Sequence, residues 1–518
     1  MPLVFQTELP VEPPAPNRMD VACFVGFVRP RGGGPAGAVT SPAIQDWLRT
    51  QGWLQDPFGL KMPYARGTAA TYLDVPIPIA SWTVFDRLFA WDARAMEGSD
   101  ALATTYLGAA VRSFFAEGGQ RCYVVRAGDD WPVPAGITVE SAATIDATRA
   151  ARLEALVPGY PGSLTASPAD RTSWHGVGHV FGLPDVSFVC CPDLADILRA
   201  PATPPVLRVT LPSAPEQFLA CSDADLVKDD DPAVRYEAPR AGESEFAAWH
   251  RVLEIVRNAL VATRTQTQFV ATVPMPVTGS SNERTLRDVL QDFLPERNLT
   301  GTYGPRVSSF VQFAFPWAVT RGSRGLPEGL EPAEGAFTGV LARNALVRGT
   351  FRSAAGLTFT SVEDAQPALS PNEVGDRVSL FGLTPRGMQV LTDVTASGAD
   401  QFQPAGLHRL VSSIVRAARR IGEDAVFDAS GEQLWAGIRT RIEAVLLALW
   451  RDGALRGATP ADAFDVRCDR STMTQLDLDA GRAVAVVRFD PAAPIDSITV
   501  VLALDAAGSA SLATTEAA

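Results

Sequence analysis

The stretch LGAAVRSFFAEGGQRCYVVRA, residues 107–127, shows how this chain is built. Three apolar residues in it are spaced three and four positions apart: Leu107, Val111 and Phe114. This spacing predicts a helix with one apolar face, which we expect to run from Leu102 to Glu117. The glycines at 118 and 119 end it, and RCYVVRA follows with the β-branched and aromatic residues of a strand. A helix joined directly to a buried strand indicates an α/β fold.

Four further segments predict buried strands: VACFVGFV (21–28), VSFVCC (186–191), QFVATVP (268–274) and SSFVQFAFPW (308–317). A helical segment, EFAAWHRVLEIVRNALVATR (245–264), lies between the second and third of them. Strands that alternate with helices in this way favour a mostly parallel, layered sheet. Before the first strand, PVEPPAP favours extended backbone, and a short strand is expected at 3–9.

The C-terminal part contains two amphipathic helices, RLVSSIVRAARRI (409–421) and EQLWAGIRTRIEAVLLALWRDG (432–453). Three strands follow: FDVRCD (464–469), AVAVVRF (483–489) and SITVVLAL (497–504). In FDVRCD the residue types alternate, so we expect Phe464, Val466 and Cys468 to face a core. Its charged residues would face outward: Asp465, Arg467 and Asp469. Such a segment suits either a charged pocket or an edge strand that contacts another subunit.

Composition limits the possible functions. The chain has 518 residues, 46% hydrophobic and 20% charged, and a net charge of −13, which indicates a globular multidomain protein. An acidic balance disfavours nucleic acid as a partner. The N-terminus lacks the cationic and apolar regions of a signal peptide, and no apolar run is long enough to insert into a membrane. Six scattered cysteines indicate reduced thiols in a protein made in a cytosol.

Catalytic motifs are absent from the sequence. It contains no G-x-S-x-G, H-E-x-x-H or G-x-x-x-x-G-K-[ST] motif, and GVGHVFG (176–182) departs from the dinucleotide-binding spacing. His175 and His179, with Cys190, Cys191 and Asp193 downstream, are residue types that can bind zinc. The glycines between the two histidines disfavour a helical metal site, although a zinc protein or a subtilisin-like hydrolase stays the rival class. We therefore expect no enzyme and no cofactor.

Three C-terminal segments together resemble the C-terminal domain of contractile tail sheath proteins: LWAGIRTRIEAVLLALWRDGAL (434–455), GATPADAFDVRCDRSTMTQLDLDAGR (457–482) and PAAPIDSITVVLAL (491–504). That family includes phage tail sheaths, R-type pyocin sheaths and the sheaths of phage-tail-like contractile injection systems. Looser similarity extends upstream through AVRSFFAEGGQRCYVVRAG (110–128) and SSFVQFAFPWAV (308–319). The segment PIASWTVFDRLFAWD (78–92) is more similar to injection-system sheaths than to phage sheaths.

The resemblance implies an α/β protein with several parts. These are an N-terminal extended arm (1–20), an N-terminal α/β region (21–150), a subtilisin-like but non-catalytic middle domain (151–395) and a C-terminal sheath domain with a terminal linker strand (396–518). It also implies a structural subunit that polymerises as a helix, with hexameric rings, around an inner tube and contracts to drive that tube through an envelope. Baseplate and terminal cap proteins would be further partners. Assembly would occur in the bacterial cytoplasm, in a particle that is released or membrane-anchored. A phage tail sheath, or a minor sheath paralogue near the baseplate or cap, is the alternative.

Two groups of residues are candidates for assembly contacts. Linker strands that pair with neighbouring subunits are expected at Leu3, Val4, Phe5, Gln6, Thr7, Glu8 and Leu9, and at Val484, Val486, Phe489, Ile498, Val500 and Leu502. The alternative is that both ends fold back onto their own subunit. Four arginines in an acidic protein would face the inner tube, unless they form an ordinary solvated helix face: Arg409, Arg416, Arg419 and Arg420.

Overall fold

Parallel strands form the centre of the structure, which is a computed structural model of the chain. It describes residues 18–32, 39–53, 72–135, 142–201, 236–263, 266–277, 304–367, 376–425, 431–492, 498–504 and 510–516. The expected strand at 3–9 therefore lies outside the described residues.

The largest sheet has eight strands, in the order β14-β13-β10-β8-β6-β1-β5-β2. Its members are β1 (Val21–Phe27), β2 (Pro76–Ile79), β5 (Cys122–Gly128), β6 (Val186–Cys190), β8 (Gln268–Thr272), β10 (Val311–Phe315), β13 (Val378–Thr384) and β14 (Gly387–Val390). The six strands from β13 to β5 pair in parallel, and the outer two pair antiparallel to their neighbours. Along the parallel part, the strand order reverses between β1 and β6, as in doubly wound α/β folds. The prediction of a mostly parallel, layered α/β sheet is confirmed.

Short strands form three two-stranded sheets. They are β3 (Arg94–Met96) with β4 (Ser99–Ala103), β7 (Arg240–Ala241) with β9 (Met275–Pro276), and β11 (Trp317–Thr320) with β12 (Val362–Gln366). The helices are α1 (Pro42–Thr50), α2 (Trp82–Leu88), α3 (Tyr106–Ala116), α4 (Ala142–Leu156), α5 (Leu194–Ile197), α6 (Glu243–Ala262), α7 (Glu334–Val347), α8 (Ala405–Ala425), α9 (Glu432–Arg451), α10 (Pro460–Ala463) and α11 (Gln475–Asp479).

The expected helix that was to begin at Leu102 begins four residues later. Residues 99–103 form strand β4, and Leu102 is largely exposed there. The hydroxyl of Thr105 accepts a hydrogen bond from the backbone N–H of Gly108 at 3.1 Å, which caps helix α3. The threonine cap determines where the helix starts, whereas the apolar periodicity indicates only which face of the helix is buried. The helix ends at Ala116, and Gly118 (φ +102°) adopts the left-handed conformation that follows many helices.

The C-terminal part has its own sheet and its own core. Four strands pair antiparallel in the order β15-β16-β17-β18: β15 (Phe464–Arg467), β16 (Ala483–Phe489), β17 (Ile498–Leu504) and β18 (Ala510–Glu516). Helices α8 and α9 pack against each other beside this sheet. Their apolar stripes meet in one hydrophobic cluster that includes Leu410, Ile414, Ile438 and Ile442. The predicted stripes of both helices therefore supply this smaller core.

A larger hydrophobic cluster runs from Val21 to Ala396. Residues of both the 21–150 and the 151–395 regions supply strands to the eight-stranded sheet and side chains to this one cluster. In this structure the two regions thus share one hydrophobic core. The smaller cluster begins at Leu407. Within the described residues, no helix combines the length and apolar character that a membrane crossing requires.

Candidate assembly surfaces

Ligands of doubly wound α/β proteins bind where the strand order reverses, at the carboxyl ends of the strands. Here Asp193 occupies that position, just after β6. Its Oδ2 accepts a hydrogen bond from the N–H of Phe27 at 2.7 Å, and its Oδ1 accepts one from the N–H of Leu107 at 3.3 Å. A Cβ added at Gly26 would lie 2.3 Å from Oδ2. The chain's own groups therefore fill the crevice between β1 and β6.

The carboxylates around this crevice differ in charge state. Burial raises the pKa of Asp193 to about 7 and that of Glu334, at the start of α7, to about 8. Burial also acts on Asp196, but the Arg94 guanidinium, 2.6 Å away, outweighs it and holds the pKa of that carboxyl below its usual value. At neutral pH the group thus contains an ionised Asp196 paired with Arg94 and Arg199, a largely protonated Glu334 and an Asp193 that is about half protonated.

The two histidines converge on a carboxylate that sequence reasoning did not select. His175 Nδ1 lies 2.7 Å from Asp74 Oδ2, and His179 Nε2 lies 2.9 Å from Asp74 Oδ1. Residues 176–182 form a 3₁₀-helix and do not follow a strand, which is inconsistent with a dinucleotide-binding loop. Burial would raise the pKa of Asp74, but the hydrogen bonds from both histidines outweigh it and hold that pKa far below its ordinary value. This cluster links residues 72–75 to the large core.

The cysteines are packing residues in this structure. Cys190 ends β6 with its Sγ 3.4 Å from the hydroxyl of Thr338, and burial raises the pKa of its thiol well above the ordinary value. The other described cysteines are buried and unpaired as well: Cys23, Cys122, Cys191 and Cys468. In the part of the chain that the structure describes, no three His, Cys, Asp or Glu side chains are arranged to hold a metal ion.

The expectation that four arginines of α8 face an inner tube is wrong for two of them. Arg409 and Arg416 are 3% and 6% exposed. Arg409 Nη2 lies 2.6 Å from Asp393 Oδ2, so this side chain forms a buried ion pair with the large core. Arg419 is half-buried and Arg420 is exposed, and only these two stay candidates for an external contact.

Strand β15 is an edge strand of the four-stranded sheet. Val466 and Cys468 are buried against the smaller core, and Phe464 is half-buried against it. The three charged residues of the segment are exposed: Asp465, Arg467 and Asp469. The predicted faces of FDVRCD are therefore confirmed, and the segment is an edge strand and not a charged pocket.

The expected linker strands of the C-terminal end pair within this chain. Ile498, Val500 and Leu502 of β17 oppose Phe489, Val487 and Ala485 of β16, and β18 covers the other side of β17. In the isolated subunit the strands thus fold back, which is the alternative that the sequence left open. Val484 and Val486 of β16 are half-buried, and Phe489 is fully buried.

Both edges of the eight-stranded sheet are blocked. On β2, Pro76 and Pro78 oppose Val125 and Tyr123 of β5, and neither proline has an N–H to offer an added strand. On β14, residues 356–359 already bond to the strand, for example through the N–H of Phe359, which donates to the carbonyl of Met388 at 2.9 Å. Among the described sheets of four or more strands, added strands can therefore pair only with the four-stranded one.

Comparison with known proteins gives matches in structure alone. No protein-family model matches the sequence, and no curated protein matches it. A chain of the anti-feeding prophage (AFP) baseplate in the contracted state matches with a TM-score of 0.55 and 14% identity, over 95% of this chain and 95% of that chain. A chain of the 6-fold symmetrised AFP baseplate matches with a TM-score of 0.51 and 14% identity, over 96% of both chains.

This chain shares the fold of the two AFP baseplate chains. The resemblance to contractile tail sheath proteins that the sequence indicates is thus confirmed at the level of the fold. The AFP helical sheath in the contracted state also matches over 96% of both chains, with 14% identity and a TM-score of 0.48. The shared fold spans nearly the whole length of this chain and of the two baseplate chains.

Proposed function

We propose that this chain is a structural subunit of the contractile sheath of a phage-tail-like contractile injection system. It polymerises as a helix around an inner tube and contracts to drive that tube through a target envelope. The observation that carries this proposal is the fold shared with AFP baseplate chains over almost the full length. The C-terminal sequence motifs support it independently. The subtilisin-like, non-catalytic character of the middle domain and the cytoplasmic assembly of the particle are parts of the same proposal.

A helical polymer requires head-to-tail contacts that do not close on themselves. We assign these contacts to the four-stranded sheet, because the edges of the large sheet are blocked. On assembly, β17 leaves β16 of its own subunit and pairs with β16 of a neighbour. The new pairing restores the same register, so the backbone hydrogen bonds lost and gained nearly cancel. The segment at residues 3–9 adds to a neighbour's sheet in the same way.

Strand exchange can be tested with two populations of subunits. One population carries Val486→Cys on β16, and the other carries Val501→Cys, the residue that opposes it on β17. After co-assembly and mild oxidation, we expect disulfide-linked dimers, since neither population can form this disulfide within one subunit. A matched control uses Thr515→Cys on β18, which pairs with β17 and not with β16. Linked dimers no more abundant than in this control would refute the exchange.

Deletion of residues 1–14 tests the N-terminal segment. The truncated subunit should stay folded, with an almost unchanged melting temperature, and should fail to form long tubes. A second variant keeps the full length of the wild type and replaces residues 3–9 with glycine and serine. It separates the effect of the strand sequence from the effect of chain length. Normal tubes from both variants would exclude a linker role, whereas an unfolded truncated subunit would assign the segment to its own core.

The inner tube is the second proposed partner, and Arg419 and Arg420 are the proposed contacts. Reversing both charges to glutamate should weaken tube-templated assembly most at low salt, and the difference from the wild type should shrink at high salt, where the charges are screened. Arg441 is exposed on α9, and Arg441→Glu is the matched control, a charge reversal outside the proposed contact. Equal assembly of all three proteins would remove this end of α8 from the tube interface.

A specific observation favours a second candidate. The two structures reported above with TM-scores above 0.5 are both described as baseplates. A minor sheath paralogue at the baseplate or cap would form short stacks or single rings, whereas the major subunit would form long tubes. Electron microscopy of the purified protein, alone and with its inner tube, distinguishes the two. A monodisperse monomer with bound zinc or hydrolase activity would instead support an enzyme.

A further inference from the structure

Two buried guanidinium groups of helix α8, those of Arg409 and Arg416, reach the large body, and Arg416 is the one that contacts the residues before β1. Arg416 lies on α8, is 6% exposed and makes five hydrogen bonds; among the residues that the structure describes, no carboxylate lies at ion-pair distance from it. Its acceptors are the carbonyls of Arg18 (2.7 Å), Asp185 (3.2 Å), Val186 (2.8 Å) and Gln266 (2.8 Å), and the hydroxyl of Ser187 (3.1 Å).

These acceptors belong to three separate segments that lead into adjacent parallel strands. Arg18 precedes β1, Asp185 directly precedes β6, which begins at Val186, and Gln266 precedes β8. Carbonyls at the amino ends of parallel strands lie beyond the regular ladder, and a buried carbonyl needs a donor. The planar fork of an arginine supplies several donors at once, which a lysine cannot do in fixed directions. Arg416 therefore connects three strands through one side chain.

The first of these acceptors, the carbonyl of Arg18, lies directly after residues 1–17, which we call the N-terminal segment; Arg18 is its root. Arg18 begins the described chain. Its side chain is paired with the buried carboxylate of Asp20 at 2.5 Å, which holds the backbone here in place. The carbonyl of Arg18 also accepts a bond from Ser187 at 3.5 Å. A force applied to the N-terminal segment therefore loads the hydrogen bond between Arg18 and Arg416 before it loads the hydrogen bonds within β1.

The other end of the connection is the smaller core. The apolar side of α8 packs into it through Leu410, Val411, Ile414 and Val415. The same helix lies against α9 and near β17. Arg409 does not provide an equivalent path, because its hydrogen bonds go to Asp393, Gln312 and the carbonyl of Thr350, and none of these lies in the segment that begins at Arg18.

We propose that Arg416 transmits force between the root of the N-terminal segment and the C-terminal sheet, so that tension passes through a subunit along one short route. In a polymer linked by its two chain ends, this route carries load from neighbour to neighbour without deforming the eight-stranded sheet. The inference rests on the proposed function for its role in a sheath. The mechanical connection itself is a property of the single subunit and can be measured without assembly.

Single-molecule pulling in two directions tests it. In the first geometry, one handle is at residue 1 and the other at Leu476→Cys, which is exposed in the C-terminal part. In the second, handles at Leu102→Cys and Val347→Cys, both exposed on the large body, leave Arg416 outside the pulled path. The described cysteines are buried, and Cys221→Ser removes the remaining one.

Arg416→Met should make the first rupture about tenfold or more faster at a given force in the first geometry, since one hydrogen bond to a charged group is alone worth about that factor. It should leave the second geometry unchanged. The matched control is Arg420→Met, an exposed arginine of the same helix that pairs with Asp424 at 3.5 Å. This variant should behave as the wild type does in both geometries.

Equal acceleration in both geometries would mean that Arg416 only stabilises the fold, and no acceleration in the first would mean that force takes another path. Either result overturns the proposal. If Arg416→Met does not fold, Arg416→Lys serves, because lysine keeps the charge but offers three donors to the same acceptors. Its effect should be smaller and confined to the first geometry. Wild-type subunits that form no tubes would refute the proposed function and leave this measurement valid.

Discussion

Raising the pH from 5 to 8 should destabilise the subunit through its buried carboxyls. Burial raises the pKa of Glu331 and Glu334 to about 8 and that of Asp193 to about 7. A carboxyl whose pKa is higher in the folded state contributes stability below its unfolded pKa. It loses that contribution as the pH rises through the folded pKa. The free energy of unfolding should therefore fall across this range.

The magnitude can be worked out for Glu334. An unfolded pKa of 4.5 and a folded pKa of about 8 give a loss of about 3 kcal/mol between about pH 5 and pH 8. Asp193 is the charged group whose repulsion adds to the effect of burial on this carboxyl, while a backbone hydrogen bond involving Cys191 opposes it. His250 acts in the other direction. Burial lowers the pKa of His250, so the free energy of unfolding increases as the pH rises from the folded pKa to the ordinary pKa of a histidine. The contribution of Glu334 is therefore best measured as the difference in the free energy of unfolding between the wild type and a Glu334 variant, because the other titrating groups contribute equally to both.

Urea unfolding of the wild type and of Glu334→Gln at several pH values measures that difference. The neutral amide removes the titration, so the variant should lose less stability than the wild type, by about 3 kcal/mol over the range. Glu443→Gln, at an exposed position on α9, is the matched control and should follow the wild type. Parallel curves for Glu334→Gln and the wild type would refute the assignment of this pH dependence to Glu334.

Three further outcomes are expected. A Cβ at Gly335 would lie 2.4 Å from the carbonyl oxygen of Ala110, so Gly335→Ala should lower the melting temperature, whereas Gly437→Ala, at an open helical site, should stabilise by about 0.5–1 kcal/mol. Asp393→Asn should cost about 3 kcal/mol in urea unfolding because it leaves Arg409 buried without its charge partner, and a cost below about 1 kcal/mol would contradict this. Thiol reagents should label five cysteines only after unfolding, as mass spectrometry of native and denatured protein can show: Cys23, Cys122, Cys190, Cys191 and Cys468.

Local patterns were sufficient for the C-terminal helices and for the two faces of the strand that begins at Phe464. The stripe that places Ile438 and Ile442 in a core follows from a period of 3.6 residues, and the outward charges of FDVRCD follow from a period of 2. The start of α3 was misplaced because the cap at Thr105 is a single side-chain contact that periodicity does not register. Strand β18 was missed because ASLATTE has little apolar alternation and depends on its pairing with β17.

The sequence by itself determined the alternation of helices and strands, the amphipathic C-terminal helices and the resemblance to sheath proteins, because each depends on residues near one another in the chain. Only the tertiary structure decided which charges are internal. Arg416 is buried because carbonyls 150 and 398 residues away converge on it, and the two histidines meet Asp74 across 101 and 105 residues. Such partners exist only once the strands have assembled, and a buried charge is stable only where they are present.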